Sequence, residues 1–187
     1  MNLPPAAILG MILGFSEFLL AAFKRSKGNA VSKDRHSLGL IWMVDTGAIV
    51  LAVLCAYKLP SLRVPKPEDF LKAGYCLFAS GLALRWYSIV YLGRFFTTNV
   101  AIAADHRVID SGPYGLMRHP SYTGLLIAVL GMGLSFLNWA SLVLVFVPFC
   151  AVLMWRIRIE EQALAEGLGQ RYTDYMGRTK RLIPFIY

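Results

Sequence analysis

The chain has 187 residues, of which 57% are apolar and 16% charged, and its formal net charge is +8. So apolar a composition is unlike an average soluble domain. The positive charge does not point to nucleic acid, because the lysines and arginines lie beside long apolar runs, where cytoplasmic bias and anionic headgroups account for them.

The first apolar run covers residues 3–23. No basic residue precedes it and the cluster KRSK follows it, which predicts a retained span in place of a cleaved signal peptide. Within it Gly10 and Gly14 form a small-xxx-small pair suited to close helix packing. A second run covers 38–57 and a third 70–92, joined by KLPSLRVPKPEDF, which Pro60, Pro65 and Pro67 mark as a non-helical connector. Glu17, Asp45 and Arg85 interrupt these three runs. Each lies six or seven residues from the end predicted to be cytoplasmic, roughly 10 Å at 1.5 Å per residue. They are expected to meet in a partly hydrated cluster, with an ion pair between Arg85 and one carboxylate as the simplest arrangement.

The run at 122–155 is too long for one span and short for two, so it is divided at 135–138 into a tight helical hairpin. The predicted class is all-α and integral to the membrane, with five transmembrane helices. Residues 1–92 form three N-terminal spans, and 93–187 carry a loop, the hairpin and a C-terminal helix. The segments 24–39, 93–119 and 156–187 hold fourteen lysines and arginines against four in 58–72. The positive-inside rule therefore places the first three segments in the cytoplasm and the N-terminus outside. Cys55, Cys76 and Cys150 lie in apolar spans without metal-ligand or CxxC spacing, so packing is their expected role. There is no 20–50-residue repeat and no signal for oligomeric state.

Chemistry concentrates near the ends of the last two spans. In RHPSYTG, Pro120 suits the first position of a helix, which puts His119 at the cap and Arg118 just outside it. Such a helix start favours a negative ligand group. The alternative is a headgroup anchor, with Tyr122 in the aromatic belt. The tail WRIRIEEQALAEGLGQRYTDYMGR is expected to be helical to about Met176, with Arg156 and Glu160 one turn apart.

The ordered set DHRVIDS, GPYGLMRHPSYTG and RIRIEEQALAEGLGQRYTDYMGRTKRLIP resembles the isoprenylcysteine carboxyl methyltransferase family and its prokaryotic relatives, over about residues 92–184. The resemblance implies a cytoplasmic S-adenosylmethionine site formed by the loop before the fourth span, the start of that span and the C-terminal helix. It implies cofactor contacts from His106, Arg107, Val108, Ile109, Tyr114, His119, Pro120, Ser121, Tyr122 and Glu160. It assigns Arg156 to the acceptor substrate as the catalytic residue. Glu161, beside Glu160, leaves an ambiguity that geometry must settle.

The chemistry of the residues agrees. Glu160 can take the donor's ammonium, the helix start with His119 its carboxylate, and Tyr114 or Tyr122 can flank the adenine. No strand followed by a glycine-rich turn is present, which disfavours a Rossmann-type cofactor fold. A carboxylate acceptor needs no general base, only a cation such as Arg156 to orient it. The residues do not decide between acceptors; the resemblance makes an isoprenylcysteine-like lipidic or peptide acceptor reaching the site from the membrane the leading expectation. A phospholipid amine or a thiol is the alternative. A nicotinamide-dependent membrane sterol-type reductase is the competitor from another class, disfavoured by the tail sequence. A non-enzymatic membrane sensor would not explain the clustered polar residues.

Overall fold

The computed structural model describes residues 4–23, 37–96 and 107–187. Among these residues the regular structure is helical, and the only β pairing is two isolated bridges. Five helices form the bundle: α1 (Pro5–Phe23), α2 (Ser37–Lys58), α3 (Pro67–Leu92), α5 (Pro120–Leu134) and α6 (Trp139–Leu168). Two short ones, α4 (Pro113–Leu116) and α7 (Gln170–Arg178), lie at one end of it. At that end α1 and α3 finish, α2 and α5 begin, and α6 runs on beyond the bundle.

The elements begin where their sequences allow. Pro67 and Pro120 occupy first-turn positions, where a missing amide costs nothing. Glu68 and Asp69 complement the positive end of α3. At the far end of the bundle Asn138 caps α6 by accepting from the Ser141 amide at 3.2 Å and donates to the Leu59 carbonyl at 2.9 Å. The Ser141 hydroxyl donates to the Ala52 carbonyl at 2.6 Å. The chain therefore breaks where the sequence reading divided it, and the break is tied to the end of α2.

The division is unequal. Among the described residues four helices, α1, α2, α3 and α6, are long and apolar enough to cross a membrane, whereas α5 has 15 residues. At 1.5 Å per residue α5 is roughly 22 Å long, short of a typical hydrocarbon core of about 30 Å. The tail also differs from the single helix expected to about Met176. Helix α6 continues unbroken past Trp155 to Leu168. Gly169 then takes φ +60°, a conformation other residues resist, and the chain turns into α7.

The most intimate packing is between α3 and α5. A Cβ at Gly124 would stand 2.5 Å from the Arg85 amide nitrogen and 2.6 Å from the Gly81 carbonyl oxygen. The close approach set by these glycines brings Arg85 against the first turn of α5. The Gly10/Gly14 pair does less: a Cβ at Gly10 would meet the Met132 sulfur at 3.6 Å, and one at Gly14 would meet nothing within 4 Å. The core of Leu9, Phe78, Val129, Met132, Val145 and Phe149 fills the middle of the bundle. Phe15, Phe18, Met43, Val90 and Val147 are exposed on its outside, as lipid-facing positions require.

Candidate active site

His119 occupies the cap position of α5, with non-helical φ −124° and ψ 57°, and Arg118 lies outside it, as the proline predicts. The C-terminal segment returns to this point. The Arg118 amide donates to the Lys180 carbonyl at 2.7 Å and the His119 amide to the Arg181 carbonyl at 2.9 Å. Thr123 Oγ1 donates to the Leu182 carbonyl at 2.8 Å. These bonds engage the Arg118 and His119 amides, which precede the first turn of α5, and the Thr123 hydroxyl within it.

The adjacent glutamates separate into two settings. Glu161 has a side chain 4% exposed and gathers three donors: Arg118 Nε at 2.7 Å, Arg181 Nε at 2.8 Å and His119 Nε2 at 3.3 Å. Arg118 also donates through Nη1 to the carbonyls of Met176, at 3.0 Å, and Thr179. This network fastens α6, the α5 cap and the tail to one another. Glu160, 28% exposed, accepts from the Tyr122 hydroxyl at 2.6 Å through Oε2, and its Oε1 lies 3.9 Å from His119 Nδ1. Arg156 Nε donates to the same Tyr122 oxygen at 3.3 Å. The rings of His119 and Tyr122 stack at 5.5 Å between centroids.

Of the residues named from the sequence, His119, Tyr122, Arg156 and Glu160 therefore form one contact cluster. Tyr114 lies beside it, buried, donating to the Ser88 carbonyl at 3.2 Å, while its own carbonyl accepts from the Tyr175 hydroxyl at 2.6 Å. Burial and the charge of Glu160 push the Tyr114 phenol upward, and burial pushes Tyr175 up to about 12, so both remain neutral donors near neutral pH. Pro120 and Ser121 are buried in the first turn, and the Ser121 carbonyl accepts from Arg85 Nη1 at 3.3 Å. Arg107 is exposed, with its guanidinium 5.8 Å from the Phe95 ring centroid. Val108 and Ile109 are half-buried in the irregular segment leading to α4. His106 lies outside the described residues, as does most of the 24–39 segment.

Arg118, Glu161 and Arg181 were not assigned this joint role from sequence. The paired EE and the arginine before His119 carried the signal, but the tail that supplies Arg181 reaches them only through the turn at Gly169.

On the membrane side of the cluster is a cavity of about 190 Å³, lined by apolar side chains including Leu13, Ile49, Leu125 and Phe149. Tyr122 and Arg156 line it as well, whereas Glu160 and His119 do not. Glu17, Asp45 and Arg85 meet here as expected. Arg85 holds Glu17 through two bonds of 2.6 Å, Nε to Oε1 and Nη2 to Oε2. Among the described residues no group of histidine, cysteine, aspartate or glutamate is arranged to hold a metal.

Residues 74–166 match the isoprenylcysteine carboxyl methyltransferase (ICMT) family. A probable protein-S-isoprenylcysteine O-methyltransferase from Oryza sativa subsp. indica is 32% identical over 179 residues, 91% of this chain and 90% of that protein. The chain belongs to the isoprenylcysteine carboxyl methyltransferase family. Protein-S-isoprenylcysteine O-methyltransferase B from Arabidopsis thaliana is 32% identical over 115 residues, 60% of this chain and 58% of that protein. The solved structure of the eukaryotic intramembrane Ras methyltransferase ICMT superposes with a TM-score of 0.69 at 28% identity, covering 95% of this chain and 64% of that one. This chain thus spans less than two thirds of those last two relatives. The family match begins inside α3, earlier than the motifs readable from about residue 92, and α3 is the helix packed most closely on α5.

Proposed function

We propose that this chain is an S-adenosylmethionine-dependent methyltransferase of the membrane that esterifies the carboxylate of an isoprenylcysteine-type acceptor. One observation carries the reading: Tyr122 lines the apolar cavity together with Arg156, which donates to it, while also touching Glu160 and His119 of the polar cluster. A lipidic acid and a polar, charged methyl donor need such adjoining compartments.

The residues suit the donor. Glu160 has one oxygen engaged by Tyr122, and Oε1 faces the His119 side, where it would hold the donor's ammonium. Tyr114, Tyr122 and His119, with Pro120 and Ser121 behind them, would form the wall for the adenine. The α5 start with His119, or Arg107, would take the donor carboxylate, and Val108, Ile109 and His106 would complete the approach. S-adenosylmethionine supplies an electrophilic methyl on a sulfonium. The protein's task is alignment and exclusion of water, which can contribute much of the acceleration in a displacement.

Arg156 would orient the acceptor carboxylate without removing its nucleophilicity, and a carboxylate needs no base at neutral pH. The named relatives are methyltransferases, which favours methyl transfer over the nicotinamide-dependent reductase. The cavity would receive the acceptor's hydrocarbon within the bundle. The site end faces the cytoplasm on this reading, because most lysines and arginines lie there. Reporter fusions at Ser61 and Tyr187 should then report opposite sides of the membrane, and the same side for both would refute the orientation.

Incubation with tritium-labelled S-adenosylmethionine and N-acetyl-S-farnesylcysteine should give a base-labile methyl ester. Label that resists base, or label transferred only to a phospholipid amine, would overturn the assignment of the acceptor.

A further inference from the structure

The segment after α7 runs alongside the entry of α5 and in the same direction. Met117 and Lys180 form a parallel bridge, and the Lys180, Arg181 and Leu182 carbonyls accept in turn from the Arg118 amide, the His119 amide and Thr123 Oγ1. Residue by residue the tail therefore advances the way α5 enters the bundle. By Leu182, buried in the core cluster with Leu125 and Ile157, it has reached the first turn of that helix.

There the chain folds into a closed turn. The Leu182 and Ile183 amides donate to the Tyr187 carbonyl at 2.7 and 2.8 Å, and the Ile186 and Tyr187 amides donate to the Ile183 carbonyl at 3.2 and 3.1 Å. Phe185 takes φ +66°, a left-handed conformation that a bulky side chain resists. Arg181 holds the far side, donating through Nη1 to the Tyr187 hydroxyl at 3.1 Å, and its Nε donates to Glu161. This fixed turn nevertheless presents apolar side chains outward: Phe185 is 88% exposed, Ile186 74% and Ile183 50%.

The depth of the turn says what covers them. Helix α5, roughly 22 Å long, is shorter than a hydrocarbon core of about 30 Å, so its first turn lies at the headgroup boundary or inside it. The turn at 183–187 shares that level. Exposed Lys180 stands just before it, with a stem long enough to carry its ammonium to the phosphates. An aromatic and two aliphatic side chains held outward beside a cation suit a segment lying in the interface.

We propose that the turn at 183–187 is an interfacial anchor that inserts Phe185 and Ile186 into the leaflet on the side of the site. Its partner is lipid. Through Arg181 the anchor fastens the Glu161 network to the bilayer surface. The proposal is independent of which group is methylated.

The test places a nitroxide at Phe185→Cys or Ile186→Cys in the full-length protein, with Cys55, Cys76 and Cys150 replaced by alanine, in vesicles of phosphatidylcholine and phosphatidylglycerol. Asp174→Cys, on the exposed face of α7, is the water-facing reference, and Val147→Cys, exposed on α6, the lipid-facing one. Relaxation by oxygen and by a water-soluble nickel chelate should place the labels at 185 and 186 about 5–10 Å inside the phosphates. Nickel collisions as frequent as at 174 would overturn the proposal. So would few collisions with either reagent, which would mean that protein, such as a second copy, covers the turn.

The unsubstituted protein gives a second reading that no variant can disturb. A phospholipid carrying a diazirine near the top of its acyl chain, irradiated in the same vesicles, should label the peptide 182–187 released by trypsin at Arg181 and leave 172–178 unlabelled. Labelled spans with an unlabelled 182–187 peptide would contradict the anchor.

Discussion

The Tyr122 hydroxyl donates to Glu160 Oε2 at 2.6 Å. The Tyr122 hydroxyl oxygen itself accepts from Arg156 Nε, so one phenol couples the residue proposed for the methyl donor to the residue proposed for the acceptor. Removing it in Tyr122→Phe leaves Glu160 without that donor and Arg156 without that acceptor. Donor affinity should fall by about 1 kcal/mol, the usual scale of a single hydrogen bond, and kcat/KM should fall further because both positions loosen. Calorimetry and steady-state rates on one preparation measure the two effects. Wild-type values for both would show that the hydroxyl couples nothing.

Glu161 and Glu160, although adjacent, should respond differently to the same substitution. Glu161→Gln removes the charge that Arg118, Arg181 and His119 share in a buried setting. A loss of about 3 kcal/mol of stability is expected, as for a buried pair broken on one side. Glu160→Gln alters a more exposed group and should shift thermal unfolding far less. Equal shifts in the two variants would contradict this division of roles.

Arg85→Ala should lower stability more than it lowers donor affinity. The substitution strands Glu17 at the wall of the cavity and removes a donor from the Ser121 carbonyl. Thermal unfolding and donor binding measured together decide the matter. Unchanged melting with lost binding would move Arg85 into the donor site.

Much of this arrangement was legible in the sequence because it rests on local chemistry. Pro120 fixes a helix start, so the positions of Arg118 and His119 followed from residue order alone. The break near Asn138 was readable from run length, since the apolar stretch there exceeds one span. The meeting of Glu17 and Arg85 followed from equal depth in neighbouring spans. The roles of Glu161 and Arg181 were not readable in the same way, because they depend on Gly169 turning the tail back. That turn is a backbone conformation with no periodic signature. The α3–α5 contact has no such signal either: its glycines lie on two helices distant in sequence, whereas the legible Gly10/Gly14 spacing lies within one helix. The shortness of α5 was hidden by the continuous apolar run that it shares with α6.

The most direct test of the account is S-adenosylmethionine binding and methyl transfer in Glu160→Gln and Arg156→Ala, compared with wild type. Glu160→Gln should weaken donor binding by about 1.5–3 kcal/mol, the range for a hydrogen bond to a charged group. Arg156→Ala should change donor affinity little and lower methyl-transfer efficiency by orders of magnitude, because it removes the group that orients the acceptor. Near wild-type donor affinity in Glu160→Gln, or equal losses of affinity in both variants, would contradict the assignment of donor and acceptor to opposite sides of Tyr122.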